Sequence, residues 1–145
     1  MEKVTVERSI WIAAPRERVW RAITDPKQLD KWYATQFKWE IPALHVGAKV
    51  TFYNSDTDIL HATIEVLDPL REWRLRWDPV EQGVVLVTTF LLEEENGGTW
   101  ATITETGYES LPEDQRQQWV DSITSGYTMS MENLKAHVEG RPIPH

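Results

Sequence analysis

The stretch from Glu113 to Glu139, EDQRQQWVDSITSGYTMSMENLKAHVE, decides the fold. Val120, Ile123, Tyr127, Leu134 and Val138 recur at helical spacing, with Met131 beside them. Asp114, Arg116, Gln117, Asp121, Glu132 and Lys135 fall mostly elsewhere on the wheel. The spacing predicts one helix through the whole stretch, roughly 40 Å long at ~1.5 Å per residue. A helix of that length has to lie across a broad surface, and the chain before it reads mostly as strands.

Val4, Val6, Ile10 and Ile12 alternate with Thr5, Glu7, Ser9 and Trp11, which predicts a strand whose apolar face Arg8 interrupts. Pro15 suits the first turn of a helix over Arg16 to Thr24. Asp25 can cap a second short helix, Lys27 to Trp32, with Pro26 at its first position. Strands are then predicted over Thr35 to Ile41, Lys49 to Tyr53, Ile59 to Leu67, Glu72 to Asp78, Val84 to Glu93 and Thr99 to Thr106. Trp73, Leu75 and Trp77 oppose Arg74 and Arg76, and Asn96-Gly97-Gly98 is a hairpin signal. Strands joined by hairpins make an antiparallel sheet. The expected fold is therefore α+β: a curved antiparallel sheet of about six to seven strands wrapped around a long C-terminal helix, with two short helices after the first strand. Residues 1–145 have the size of a single domain.

Composition narrows the function. The chain is 41% hydrophobic, enough for a real core, and has no cysteine. Disulfides, thiolate metal sites and a cysteine nucleophile are excluded, and a cytoplasmic location is expected. The opening MEKVTVERSI carries charges where a signal peptide needs an apolar run, and no apolar stretch is long enough to span a membrane. A net charge of −8 without a basic cluster argues against nucleic acid and against an anionic membrane surface. Eight tryptophans in 145 residues are many, and several could wall a cavity, since indole supplies a rigid apolar face with one donor.

Three strings carry a resemblance. AAPRERVWRAITDPKQLDKWY (13–33) resembles the opening of the START-like helix-grip (SRPBCC) superfamily. GGTWATITETGYE (97–109) resembles the hairpin and last strand, and GYTMSMENLKAHVEG (126–140) the terminal helix, of its AHSA-like branch, the homologues of the activator of the heat-shock-protein-90 ATPase. The resemblance implies a helix-grip fold and a cavity under the long helix for an apolar or amphipathic small molecule. Some members of the superfamily are cyclases or hydrolases. The chaperone activity belongs to larger eukaryotic proteins with an additional domain, so the branch name does not carry a function.

Catalytic signatures are missing. There is no GxSxG, no HExxH and no glycine-rich loop running from a strand into a helix, so neither a metal nor a cofactor is expected. His45, His61, His137 and His145 read as solvated. Glu105 shares strand parity with Ala101 and Ile103, which points it into the concave face; Arg8 shares parity with Val6 and Ile10. Gly126 in mid-helix costs ~1 kcal/mol against alanine, so either the sheet approaches closely there or a bend opens the cavity. Close packing is the expected reason. Tyr127 beside it is the best polar wall residue, and Trp73, Trp77, Phe90, Trp119 and Ile123 are further wall candidates. Glu105→Gln is expected to alter ligand affinity with little loss of stability.

Two readings from different classes follow. One is a module that binds a small apolar or aromatic ligand. The other is an enzyme of cyclase, dehydratase or hydrolase type using Glu105, Tyr127 or Arg8, and a chaperone-associated interaction module is a weaker third. Exposure of Trp11 or Trp39 would point to a homodimer.

Overall fold

The computed structural model describes residues 4–33, 38–80 and 83–145. The elements are β1 (Thr5–Ile12), α1 (Arg16–Thr24), α2 (Pro26–Trp32), β2 (Lys38–Glu40), β3 (Lys49–Tyr53), β4 (Ile59–Asp68), β5 (Glu72–Trp77), β6 (Val87–Glu95), β7 (Gly98–Thr106) and α3 (Glu113–Val138). A 3-10 turn, Tyr108–Ser110, joins β7 to α3. All strand pairings are antiparallel, in the order β1-β7-β6-β5-β4-β3-β2, and the seven-stranded sheet curls into a half-barrel. The α+β helix-grip expectation is met. The first part of the strand expected over Thr35 to Ile41 lies outside the described residues, which resume with β2.

Local chemistry accounts for the joints. The side chain of Asp25 accepts from Lys27 N at 3.0 Å and caps α2, with Pro26 at its start. Asn96 and Gly97 both take positive φ, 50° and 77°, which is what a two-residue hairpin turn between β6 and β7 requires. Gly107 has φ 115°, and a Cβ there would stand 2.2 Å from the Val85 carbonyl oxygen. Only glycine makes this corner, which swings Tyr108 under the sheet.

The inner face of the sheet is divided between two covers. At one end α1 packs on β6, where Trp73 and Phe90 stack with centroids 5.7 Å apart. Trp73 is 0% exposed there. At the other end lies α3, which grips unevenly. Its buried residues, Tyr127, Met131, Asn133, Leu134, Ala136 and Val138, all belong to its second half. Val120 and Ile123, expected on a continuous buried stripe, are only half-buried. The second half is also pinned by polar contacts. Lys135 Nζ donates to Trp11 O at 2.6 Å and to Glu139 Oε2 at 2.8 Å, and lies over the Trp11 ring. Glu139 Oε2 also accepts from Ala13 N at 2.9 Å. Asn133 Nδ2 donates to Trp32 O, tying α3 to the end of α2. Trp39, 3% exposed, is core, and the Trp11 ring is covered by Lys135, so neither supplies the expected motive for a dimer. Among the described residues no helix is long and apolar enough to cross a membrane.

Candidate functional site

Between Trp119 and Asn133, α3 and the inner face of β3 to β5 do not close on each other. Between them lies a cavity of about 1130 Å³ that opens to solvent. That is slightly above the usual range for small-molecule sites, about 300–1,000 Å³. Its apolar wall is built by strand parity: Phe52 from β3, Leu60 from β4 and Trp77 from β5 face inward. Trp119 and Ile123 of α3 form the facing wall, and Tyr33, just after α2, closes one side.

Six of the nine residues singled out from the sequence line this cavity: Trp77, Glu105, Trp119, Ile123, Gly126 and Tyr127. Three do not. Trp73 and Phe90 are on the inner face as expected, but in the end sealed by α1. Arg8 has the expected phase, being paired with Ile103. Because β1 is the edge strand and α3 lies along it, the long side chain runs out to solvent, where Nε donates to Thr128 Oγ1 at 2.9 Å. Gly126 corrects the packing expectation: a Cβ there would meet nothing within 4 Å. The glycine faces the cavity, not a closely packed sheet.

The cavity has a polar seam in its inner wall. Glu105 is 4% exposed and accepts three hydroxyls. Thr88 Oγ1 and Tyr127 OH donate to Oε2 at 2.5 Å each, and Tyr108 OH donates to Oε1. Trp77 Nε1 donates in turn to Thr88 Oγ1 at 2.9 Å. Tyr33 hydrogen-bonds Tyr127, extending the chain toward the cavity. Burial, and after it the negative charge of Glu105, push the phenols of Tyr33, Tyr108 and Tyr127 well above the ordinary tyrosine range. All three stay protonated at physiological pH and serve as donors. A buried carboxylate is commonly paired with arginine; here three hydroxyl donors take the place of that partner. Glu105 is thus buried although it lies near the end of its strand, and the Tyr127 hydroxyl bonds a side chain.

Several residues of the cavity wall and of the seam behind it escaped the sequence reading. Thr88 was legible: a turn at Asn96-Gly97 pairs Glu95 with Gly98, and the same register puts Thr88 opposite Glu105. Tyr33 and Tyr108 carried no comparable signal, since a helix end and a 3-10 turn place them, and Asn133 is a buried polar residue within α3. His145, expected in solvent, lines the cavity mouth, with Nε2 at 3.1 Å from Glu132 Oε1. His61 also borders the cavity, but its ring turns outward to Thr51 as its strand phase predicts. His137 is half-buried and bonded to Gln28, and burial followed by the charge of Lys31 lowers its pKa.

Comparison with known proteins agrees with the fold. The structure is similar to protein MLL2253 of Mesorhizobium loti, with a TM-score of 0.81 and 22% identity over 94% of this chain and 98% of that one. It is similar to CalU16 of Micromonospora echinospora, with a TM-score of 0.70 and 19% identity over 94% and 85%. It is also similar to Aha1 of Colwellia psychrerythraea, whose solution structure is a dimer, with a TM-score of 0.74 and 17% identity over 94% and 96%. At these identities the likeness is one of fold. No curated protein sequence matches the chain. A family model described as Activator of Hsp90 ATPase homolog 1-like protein matches residues 13–139, and with most of its length covered the chain belongs to that family.

Proposed function

We propose that the protein binds a small apolar or aromatic molecule in the cavity under α3 between Trp119 and Asn133. The observation that carries this reading is the cavity itself: about 1130 Å³ of space left open in an otherwise closely packed inner face. Burying an apolar ligand there removes its surface and that of Trp77, Trp119 and Phe52 from water, at ~25 cal/mol per Å². Tyr127 gives its proton to Glu105 and Tyr33 is bonded to Tyr127, so the phenol oxygens are left to accept a hydrogen bond from a polar end of the ligand. Native mass spectrometry of the protein purified from its own source tests the reading. A retained organic mass released on unfolding is the expected result. A bare protein mass, with no uptake of added aromatic compounds, counts against it.

One observation favours a second reading, proton transfer at the same site. The chain Glu105–Tyr127–Tyr33 connects a buried carboxylate to the cavity through two phenols, the arrangement general acid–base chemistry uses. On this reading the protein catalyses deuterium uptake next to the carbonyl of an aromatic ketone such as tetralone, and Tyr127→Phe abolishes it. Uptake at the buffer rate leaves binding alone.

A further inference from the structure

We propose that the cavity takes an amphipathic cation, an aromatic or polycyclic amine, and turns away carboxylates and phosphates of the same shape. The inference rests on the binding reading above and specifies the charge of the ligand. Its ground is what the walls hold. Asp58 and Asp78, both exposed, stand at the cavity rim, Asp58 accepting from Asn54 Nδ2, while Glu105 is buried in the wall, and none of the described lining residues is lysine or arginine.

This distribution follows from the pleat. The strands that form the sheet wall carry Lys49, Arg74 and Arg76, but alternation sends all three to the outer face. There Lys49 donates to Thr63, Arg74 pairs with Glu72 at 2.8 Å, and Arg76 pairs with Glu65 at 2.5 Å. Each inward position is taken by an apolar residue. On α3, Arg116 is turned away from the cavity and donates to the carbonyls of Glu109 and Leu111. The buried Glu105 is held by three hydroxyl donors, and no lysine or arginine among the described residues is bonded to it. The walls add a second attraction, since Tyr33, Trp77 and Trp119 offer aromatic faces, on which an ammonium group is stabilised and a carboxylate is not. A net charge of −8 acts in the same direction at longer range.

Three probes of one shape separate the charge claim from the binding claim: naphthylmethylamine, naphthalenemethanol and naphthoate, titrated against tryptophan fluorescence at low salt. The expected order of affinity is amine, alcohol, acid, with the amine about tenfold tighter than the alcohol and the gap narrowing as salt is added. The double variant Asp58→Asn/Asp78→Asn is expected to weaken the amine about threefold or more and to leave the alcohol unchanged. Naphthoate binding as tightly as the alcohol overturns the inference while the binding reading stands. So does an amine no tighter than the alcohol, or one indifferent to the double variant. Failure of all three probes to bind removes the reading beneath it.

Discussion

Tyr127→Phe isolates the polar seam from everything else in the cavity wall. The ring stays, so apolar packing and helix propensity barely change. What goes is one hydroxyl, 7% exposed as a residue, that donates to Glu105 Oε2 at 2.5 Å and bonds Tyr33. Hydrogen bonds to a charged partner contribute about 1.5–3 kcal/mol, and their loss leaves the carboxylate with one donor fewer in a site 4% exposed. A destabilisation of about 2 kcal/mol is expected, which for a chain of 145 residues lowers Tm by roughly 6 °C. Urea unfolding followed by fluorescence and circular dichroism measures it directly. Glu105→Gln should be costly as well, against the sequence expectation of little loss. An amide nitrogen cannot accept the hydroxyls that now converge on the carboxylate, so a donor is left facing a donor. Because both residues serve one network, the double variant should lose at least ~1 kcal/mol less than the sum of the singles. A Tyr127→Phe protein within ~0.5 kcal/mol of the parent, or strict additivity with Glu105→Gln, would refute the seam as a structural unit.

Gly126→Ala adds a methyl group where nothing stands within 4 Å, and alanine is the better helix former. It should stabilise the protein by ~0.5–1 kcal/mol in the same urea assay; a loss of stability would mean that the glycine is needed for packing after all. Glu139 predicts the acid limb. Burial raises its pKa, but the Ala13 N–H, Lys135 and Arg141 outweigh it and bring the carboxyl from 4.5 down to about 2. A depressed folded-state pKa stabilises the fold above pH 4.5, and that contribution is lost as pH falls from there toward 2. Allowing for solvent screening, roughly 2 kcal/mol should disappear across this window, and Glu139→Gln should flatten the pH profile there. An unchanged acid limb in Glu139→Gln would contradict the assignment.

The fold was legible because its signals are local. Period-two alternation, the Asn96-Gly97 turn, the Asp25-Pro26 start and the spacing along α3 each depend on a few adjacent residues. The site was legible only where strand phase governs direction, as at Glu105 and Trp77. Phase could not say which end of the inner face α1 would seal, so Trp73 and Phe90 read like Trp77. It could not show that α3 lies along β1, which sends Arg8 around the edge. Nor could helical spacing reveal that only the second half of α3 grips: Ile123 and Leu134 share a face but not a cover. The glycine at 126 had two physical explanations in sequence, and three-dimensional surroundings were needed to choose the open one. Tyr33 and Tyr108 reach the seam through loop geometry, which leaves no period to read.

The central claim is that the space beneath α3, from Trp119 to Asn133, is open and takes a ligand. The chain's eight tryptophans make this directly observable. Indole N–H resonances are to be followed by two-dimensional NMR while naphthalenemethanol is added. The account predicts saturable shifts at the indoles of Trp77 and Trp119, which line the cavity, and none at Trp73, sealed under α1, or at Trp100 on the outer face of β7. Trp77 and Trp119 resonances that stay fixed through the titration would contradict it.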